Sequence, residues 1–269
     1  YFKILPELWS VTPTEGTVGK IVTLRGTGYK AGQVVTIHFG VTKTITATNA
    51  DTQGSFTTTF TVDTQSYGST TIIAVDPVAG EAINYFKILP ELWSVIPVEG
   101  TVGKIVTIRG TGYKAGELVT IHFGTTRTIT TTSVDVQGSF TTTWTVDTQS
   151  YGSTTIIAVD SVAGQAINYF KILPELWSVT PTEGTVGKIV TIRGTGYKAG
   201  QVVTIHFGET KTITATNVDA QGSFTTTFTV DTQSYGSTTL IAVDSVAGEA
   251  SNYFKILPEL WSVTPTEGT

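Results

Sequence analysis

Apolar and polar residues alternate with a period of two along most of the chain, and no helical period persists for more than about one turn. The segment Ser55–Val62 illustrates the pattern, since Phe56, Phe60 and Val62 fall on one face and three of the four threonines fall on the other. Successive side chains of a β-strand point to opposite faces of a sheet, so this alternation predicts strands that bury one face. We therefore expect an all-β protein.

Turn-forming residues divide the first repeat of this pattern into about seven predicted strands. They are Leu8–Val11, Lys20–Arg25, Gln33–Phe39, Thr42–Thr48, Ser55–Val62, Ser69–Asp76 and Ala82–Leu89. Asp51–Gly54 is predicted to form a hairpin-type turn, with Gly54 at the position that needs a positive φ. This number of short strands, with a turn signal every 8–12 residues or so, is typical of an immunoglobulin-like (Ig-like) β-sandwich.

The whole pattern recurs with a constant spacing. The decapeptide Tyr-Phe-Lys-Ile-Leu-Pro-Glu-Leu-Trp-Ser begins at Tyr1, Tyr85, Tyr169 and Tyr253, each 84 residues after the previous one. A unit of this size can bury a small core of its own. The predicted division is a closing strand of a preceding repeat at 1–5, Ig-like repeats at 6–89, 90–173 and 174–257, and the start of a further repeat at 258–269.

Composition narrows the classes of partner. The net charge is −5 and Lys and Arg are scattered singly, whereas nucleic-acid binding needs clustered positive charge, so we expect no nucleic-acid partner. No stretch approaches the roughly 20 apolar residues that span a bilayer, so we expect no membrane insertion. Cysteine is absent, which excludes disulfides and thiolate metal sites but does not determine the compartment. The abundant threonine favours strands with hydroxyl-covered surfaces.

The opening of each repeat carries a family resemblance. Val11-Thr-Pro-Thr-Glu-Gly-Thr-Val-Gly19, followed by Val22-Thr-Leu-Arg-Gly-Thr-Gly-Tyr29, resembles the start of an IPT/TIG domain, an Ig-like family with a Gly-rich turn and a Val-Thr-Ile-x-Gly-x-Gly-Phe/Tyr strand. The later Asp-x-Gln-Gly-Ser-Phe and Tyr-Gly-Ser-Thr-Thr-Ile segments are similar to tandem Ig-like repeats of prokaryotic surface proteins. The resemblance extends over every repeat and implies Ig-like sandwiches at a cell surface or in an extracellular filament.

The repeats are predicted to meet at stiff junctions. If Leu89 closes one sandwich and the next begins directly, Pro90 is the only linker residue, and proline restricts both itself and its neighbour, so we expect a rigid rod with constant rotation per repeat. Trp93 has two interpretations: a core or end-cap residue, or a residue that packs with Leu92 across the boundary and sets the twist. The predicted junction residues are Leu89, Pro90, Leu92, Trp93, Leu173, Pro174, Leu176, Trp177, Leu257, Pro258 and Trp261.

The two ends of the sequence suggest a route to assembly. The first five residues copy a closing strand, and residues 258–269 copy the beginning of a repeat. An open sheet edge accepts a donated strand, and such head-to-tail contacts propagate into filaments. The candidate inter-chain strand is Tyr1, Phe2, Lys3, Ile4 and Leu5. A segment of a longer tandem chain explains the same pattern, and an intact mass near 28.6 kDa would favour assembly.

Catalytic chemistry is not indicated. Each repeat has one histidine in mid-strand (His38, His122 and His206), and ligands 84 residues apart cannot easily share a metal. Gly26-Thr-Gly28 lacks the Lys-Ser/Thr of a phosphate loop, and neither a calcium-loop pattern nor a nucleophile elbow occurs. Near-identical repeats also offer no single differentiated pocket. We expect no enzyme activity, no catalytic residue, no cofactor and no metal.

These observations predict a structural protein of a rigid extracellular filament or surface stalk, whose main partner is itself, through head-to-tail copies or further repeats. The alternative is an adhesin stalk or a carbohydrate-binding accessory module, with surface glycans as the ligand. Trp9, Tyr29 and Tyr67 are the aromatic residues that could stack on sugar rings. Exposure of these three side chains would favour glycan binding, and burial would favour the structural role.

Overall fold

The computed structural model describes residues 3–40, 43–124, 127–208 and 211–260, except for the side chains of residues 127 and 211. Tyr1, Phe2, Thr42 and Trp261, for which the sequence makes predictions, therefore lie outside the described residues. All regular elements within the described ranges are β-strands. These ranges contain no helix that is long and apolar enough to cross a membrane. The prediction of an all-β protein is confirmed.

Each repeat contains eight described strands at matching positions. In the first repeat they are β1 (Glu7–Thr12), β2 (Glu15–Gly16), β3 (Ile21–Thr27), β4 (Val34–Phe39), β5 (Lys43–Asn49), β6 (Phe56–Thr61), β7 (Gly68–Asp76) and β8 (Gly80–Ile88). In the second they are β9 (Glu91–Ile96), β10 (Glu99–Gly100), β11 (Ile105–Thr111), β12 (Leu118–Phe123), β13 (Arg127–Ser133), β14 (Phe140–Thr145), β15 (Gly152–Asp160) and β16 (Gly164–Ile172). In the third they are β17 (Glu175–Thr180), β18 (Glu183–Gly184), β19 (Ile189–Thr195), β20 (Val202–Phe207), β21 (Lys211–Asn217), β22 (Phe224–Thr229), β23 (Gly236–Asp244) and β24 (Gly248–Ile256).

Contacts between Cα atoms divide the chain into two compact units. The first comprises Tyr1–Val95, Thr107–Thr143 and Thr155–Asn168, and the second comprises Ile96–Val106, Trp144–Thr154 and Tyr169–Thr269. The first repeat therefore lies in the first unit and the third repeat lies in the second, while the middle repeat contributes strands to both.

In the first unit, the first repeat folds into two sheets. One has the strand order β1-β3-β6, and the other has the order β2-β8-β7-β4-β5. The register places Val22 opposite Phe60, so these two core side chains share a face. Leu24, Phe39 and Phe86 are fully buried in this core. Burial of one such side chain contributes about 1.5–3 kcal/mol, so the alternating apolar positions hold the two sheets together.

The predicted hairpin at Asp51–Gly54 is wrong, although the turn itself is present. The Gly54 N–H donates to the Asp51 carbonyl at 3.0 Å, and Gly54 has a φ of 76°. However, β5 pairs with β4 and β6 pairs with β3, so the turn carries the chain from one sheet to the other. A turn glycine has the same local signature in a hairpin and in a turn that connects two sheets. Which strands pair is decided by how the apolar faces of the two sheets are buried against each other. The two-residue β2, parallel to the end of β8, was not predicted, because two residues carry no alternation.

The second unit repeats this arrangement in the third repeat, with sheets of order β17-β19-β22 and β18-β24-β23-β20-β21. The middle repeat follows the same scheme: β12 pairs with β13 and β15 in the first unit, and β10 runs parallel to the end of β16 in the second. The protein therefore consists of three tandem Ig-like β-sandwiches, one for each repeat.

Candidate functional site: the joint between consecutive repeats

Within the first unit, a polar contact joins the first repeat to the second. Tyr67, directly before β7, donates its backbone N–H to the carbonyl of Tyr113 at 3.0 Å. The Ser66 hydroxyl donates to the same carbonyl at 3.3 Å and accepts the Ala115 N–H at 3.0 Å. We call Ser66 and Tyr67 the Ser-Tyr pair, and Tyr113–Gly116, between β11 and β12, the docking turn. Three hydrogen bonds thus connect the pair of one repeat to the turn of the next.

The docking turn is held in shape by a buried carboxylate. Asp160, at the end of β15, is only 1% exposed, and its Oδ2 accepts the Lys114 N–H in the turn at 2.8 Å. Its Oδ1 accepts the N–H groups of Val162 and Ala163 at 2.7 and 3.0 Å. A buried carboxylate is tolerated where such charge-assisted hydrogen bonds replace water. The hydrogen bond from Lys114 to Asp160 therefore holds the docking turn within its own repeat and does not depend on Ser66.

Two glycines permit the close approach of the repeats. Gly138 has a φ of 81°, and a Cβ at this position would lie 2.5 Å from the Ser66 Cα. Gly112 has a φ of 74°, and a Cβ there would lie 2.2 Å from the Leu89 carbonyl oxygen. Both the backbone conformation and the space therefore require glycine. Any side chain at either position would push the two repeats apart.

The same joint occurs again in the second unit, between the second and third repeats. The Tyr151 N–H donates to the Tyr197 carbonyl at 3.0 Å, and the Ser150 hydroxyl donates to that carbonyl at 3.4 Å. The Ala199 N–H donates to Ser150 Oγ at 3.0 Å. The turn Tyr197–Gly200 is held by Asp244, which accepts the Lys198 N–H at 2.8 Å. The two joints therefore share every hydrogen bond, with distances that agree to within 0.1 Å.

The leucines of the predicted junction have two different roles. Leu89 donates its N–H to the Gly16 carbonyl at 2.9 Å, and Leu173 donates to Gly100 at 3.0 Å, so the closing strand stays bonded up to the residue before the proline. Leu92 is buried, and its carbonyl accepts the Asn168 side-chain amide at 2.8 Å. Leu176 is placed in the same way, with Asn252 as its donor. Pro90 and Pro174 lie half-buried between these residues.

The tryptophans of the junction are not core residues. Trp93 is 52% exposed, with the Arg109 guanidinium 5.9 Å from its ring centroid, and Trp9 and Trp177 are exposed to a similar degree. Trp93 lines a cavity of about 310 Å³ together with Val18 and Thr64 of the first repeat. The core interpretation is therefore wrong for Trp9, Trp93 and Trp177. Trp93 faces the preceding repeat across a cavity, and a fixed twist stays a prediction.

The candidate inter-chain strand is partly described. Ile4 is 68% exposed, whereas Ile88, its copy in the first repeat, is fully buried. The third repeat is completed by its own closing strand, since Leu257 donates its N–H to the Gly184 carbonyl at 2.9 Å, and exposed Pro258 follows. A donated strand would therefore have to enter the segment after Pro258, of which residues 261–269 are not described. Strand exchange stays a prediction.

Sequence reasoning did not single out Ser66, Ala115 or Asp160 as junction residues. The segment Thr-Gln-Ser-Tyr-Gly is identical in all three repeats, but so is most of each repeat, so identity gave no signal. Asp76, the copy of Asp160 and the last residue of a predicted strand, accepts the N–H of Lys30, 46 residues earlier in the chain. No local pattern encodes such a contact.

Among the described residues, the histidines and the buried tyrosine considered for chemistry make contacts within their own repeat. His38 lies within 3.2 Å of the Thr44 hydroxyl, and the other two histidines have the same partner type. No cluster of three or more potential metal ligands occurs in the described part of the chain. Burial, followed by the nearby Asp76, raises the pKa of Tyr29 well above its usual range, so its phenol stays neutral at physiological pH.

The three aromatic residues proposed for sugar stacking differ in exposure. Tyr29 is buried and its ring meets Phe56 edge-on at 5.1 Å, so it cannot stack on a ligand. Tyr67 is half-buried beside the joint. Trp9 is half exposed, with Arg25 6.0 Å from its ring centroid, and it lines a cleft of about 260 Å³ that includes Asp51. Of these three side chains, Trp9 is the most accessible to a ligand.

Comparison with known proteins adds to this description only at the level of fold. Neither a family model nor a curated protein matches the sequence. Solved structures to which the chain is similar include a tetra-tandem repeat from the extending region of a large adhesion protein, at 17% identity and a TM-score of 0.30, covering 94% of this chain and 74% of that one. Another is the Bacteroides ovatus SGBP-B in complex with a mixed-linkage heptasaccharide, at 15% identity and a TM-score of 0.30, covering 94% and 70%. The bacterial integrin-binding protein invasin matches at 15% identity and a TM-score of 0.28, covering 93% and 59%.

These neighbours are a tandem repeat of an adhesion protein, a protein in complex with a heptasaccharide and an integrin-binding protein. At such identities and TM-scores they carry no argument about what this chain binds. The joint between consecutive repeats is therefore the candidate functional site.

Proposed function

We propose that the protein is a structural, non-enzymatic component of an extracellular filament or surface stalk, built from tandem IPT/TIG-like sandwiches. One observation carries the proposal: the same hydrogen-bonded joint, with the same distances, occurs at both internal boundaries. A chain whose consecutive domains repeat one contact converts a small fold into length.

The chemistry of the joint supports stiffness. The second repeat contributes only backbone groups to the three hydrogen bonds, while Tyr67 contributes its backbone N–H and Ser66 its short side-chain hydroxyl. These groups have few rotational degrees of freedom, and the covalent link beside them is a single proline. Gly/Ser linkers, by contrast, behave as flexible coils. In arrays of this kind, stability is approximately the sum of intrinsic domain terms and nearest-neighbour interface terms. The joint supplies the interface term.

Two experiments test this proposal. Electron microscopy of native material should reveal fibres or stalks. Small-angle scattering of the purified chain should fit one set of interdomain angles, and a Ser66→Ala/Ser150→Ala double variant should broaden that set, whereas Ser234→Ala should leave it unchanged. Freely jointed domains in the unmodified protein would refute the structural proposal.

A glycan-binding role is the second candidate, and it rests on the half-exposed Trp9 and the cleft beside it. Arg25, Asn49 and Asp51 also line this cleft, so an aromatic face and polar groups are adjacent, as in many sugar sites. Trp93 and Trp177, the copies of Trp9 in the other two repeats, are exposed to a similar degree. Saturable binding on a glycan array that is lost in a Trp9→Ala/Trp93→Ala/Trp177→Ala variant would favour this role over the purely structural one.

A further inference from the structure

A cavity of about 310 Å³ lies between the first and second repeats. The first repeat contributes Val18 and Thr64 to its lining, and the second contributes Glu91, Trp93 and Thr111. Sites for small ligands usually have volumes of about 300–1,000 Å³, so this cavity suits a ligand with a single ring. All five lining residues flank an internal boundary of the chain, and the cavity exists only where two repeats meet.

The lining combines an aromatic ring with oxygen groups. Trp93 is 52% exposed, so its ring can be reached from solvent. The Glu91 carboxylate accepts hydrogen bonds, and the hydroxyls of Thr64 and Thr111 can both donate and accept them. A sugar ring has matching groups, because its C–H groups pack on an aromatic face while its hydroxyls need polar partners around the edge.

The charges around the cavity favour a neutral ligand. None of the five lining residues is basic, and the Glu91 carboxylate would repel a phosphate or a uronic acid. An organic cation is disfavoured for a different reason. The Arg109 guanidinium already lies 5.9 Å from the Trp93 ring centroid, so a second cation on that ring would meet a like charge.

The second joint offers the same chemical groups. Every lining residue has an identical copy there, namely Val102, Thr148, Glu175, Trp177 and Thr195. Trp177 is 51% exposed, so its ring is as accessible as that of Trp93. The Thr195 hydroxyl oxygen is buried and has no hydrogen-bond partner within the described ranges. Because a buried hydroxyl without a partner is costly, a ligand group that bonds to it gains affinity.

We propose that each internal joint binds one neutral pyranose unit of a glycan, with the sugar ring stacked on Trp93 or Trp177 and its hydroxyls bonded to the glutamate and the threonines. The inference rests on the glycan-binding role, the second candidate above, and gives that role a surface that only two consecutive repeats can form. A ligand that contacts both repeats binds the closed joint better than the open one, so it also stiffens the chain.

NMR titration of the isotope-labelled chain tests the site. The neutral probes are the methyl glycosides of glucose, galactose, mannose and N-acetylglucosamine, and the charged comparisons are choline and glucuronic acid. A monosaccharide makes few contacts, so the expected dissociation constant is of the order of millimolar. The amide signals of Thr64 and Thr111 and the indole N–H signal of Trp93 should shift. The proposal is overturned if no neutral probe shifts them at about 10 mM, or if choline alone does.

Two sets of variants remove the polar partners at both joints. Glu91→Gln/Glu175→Gln should raise the dissociation constant about tenfold, because a hydrogen bond to a charged group is lost. Thr64→Val/Thr148→Val should raise it about threefold, because a neutral hydrogen bond is lost. Unchanged affinity in both sets would exclude the joint as the site.

A matched control separates the joint from the cleft beside Trp9. Thr57 lines that cleft, and Thr57→Val/Thr141→Val/Thr225→Val removes its hydroxyl and those of its copies. Binding at the joints should be unchanged in this variant. Binding that is lost in the control set alone would place the sugar in the cleft, which overturns the joint site but leaves the glycan-binding role standing.

Hydrogen exchange gives a readout that a ligand bound elsewhere does not move. The Tyr67 amide bonds to the Tyr113 carbonyl across the joint, so it exchanges when the joint opens. A ligand at about ten times its dissociation constant that binds only the closed joint lowers the open population about tenfold. Exchange of the Tyr67 amide should therefore slow by that factor relative to other amides of the first repeat. Sugar binding without this slowing would overturn the proposal, while the structural function, which scattering tests, would stand.

Discussion

The Ser-Tyr pair of the first repeat and that of the third have the same sequence and different surroundings. Ser66 and Tyr67 share three hydrogen bonds with the docking turn of the second repeat. Tyr235 is exposed and has no such turn against it among the described residues. Since the local sequence is identical, any difference in behaviour between the two copies measures the joint alone. The repeats therefore provide an internal control that a single-domain protein lacks.

The largest effect is expected at the buried aspartates that hold the docking turns. Asp160→Ala and Asp76→Ala each leave three backbone N–H groups without an acceptor, so each should destabilise its repeat by about 2–4 kcal/mol. Only Asp160 holds a turn that is engaged in a joint. Chemical denaturation should give similar losses for the two variants, whereas hydrogen exchange at the Tyr67 amide should accelerate relative to the other amides of the first repeat only in Asp160→Ala. The same relative acceleration in Asp76→Ala would break the comparison.

A smaller effect is expected for Gly54 and Gly138, which end the equivalent turns of the first and second repeats. Gly54 and Gly138 have positive φ angles, so replacement by alanine should cost each repeat about 1–3 kcal/mol through backbone strain. A Cβ at Gly54 would meet the Tyr29 carbonyl oxygen at 2.3 Å within its own repeat, whereas a Cβ at Gly138 would meet the Ser66 Cα at 2.5 Å across the joint. Both variants should therefore destabilise their own repeat, and only Gly138→Ala should also open the joint. Hydrogen exchange at the Tyr67 amide should then accelerate relative to the other amides of the first repeat only in Gly138→Ala, and an unchanged Tyr67 amide in that variant would show that the joint does not depend on this close approach.

Acid should weaken the first repeat through Asp76. Desolvation by burial opposes ionisation, but hydrogen bonds from the N–H groups of Val78, Lys30 and Ala79 outweigh it and lower the pKa of Asp76 below its usual value. A folded-state pKa below the unfolded value of about 3.9 means that the carboxylate stabilises the fold above about pH 4. This stabilisation is lost as the pH falls through the folded-state pKa. Thermal unfolding at several pH values should show a steeper acid loss in the unmodified protein than in Asp76→Asn, and parallel curves would contradict this assignment.

The smallest effect isolates the joint most cleanly. Ser66→Ala removes a hydroxyl that both donates and accepts across the boundary, so it should weaken the coupling of the first two repeats by about 0.5–1.5 kcal/mol. Ser234→Ala, at an exposed position, should change stability by less than about 0.5 kcal/mol. Hydrogen exchange should reveal protection of the Tyr67 amide that falls in Ser66→Ala. An unprotected Tyr67 amide in the unmodified protein would mean that the joint opens freely in solution.

Much of each sandwich was predictable, because alternation along a strand is a local property. Six of the seven strands predicted in the first repeat overlap described strands closely, and the seventh, Thr42–Thr48, overlaps β5 over its described residues. The pairing of those strands was less accessible. Asp51–Gly54 has the signature of a hairpin turn, yet it connects two sheets, because β6 buries Phe56 and Phe60 beside β3 rather than beside β5.

The candidate site was predictable only in outline. The period and the proline drew attention to Leu89 and Trp93, but the hydrogen bonds that join the repeats are made by other residues, among them Ser66 and Ala115. Those residues are 49 positions apart, and each lies in a turn whose composition is explained by the turn alone. A contact between two turns leaves no periodic trace in either one.

The sequence by itself determined the all-β class, the 84-residue period and the alternating faces of the strands, since each depends on residue type and spacing along the chain. The tertiary structure decided which strands pair, that Trp9, Trp93 and Trp177 lie at the surface, and that a serine hydroxyl and a docking turn form the joint. It also separated three copies of one Ser-Tyr pair into two that are covered and one that is exposed. Identical residues differ in this way because burial and hydrogen bonding depend on what lies next to them in space.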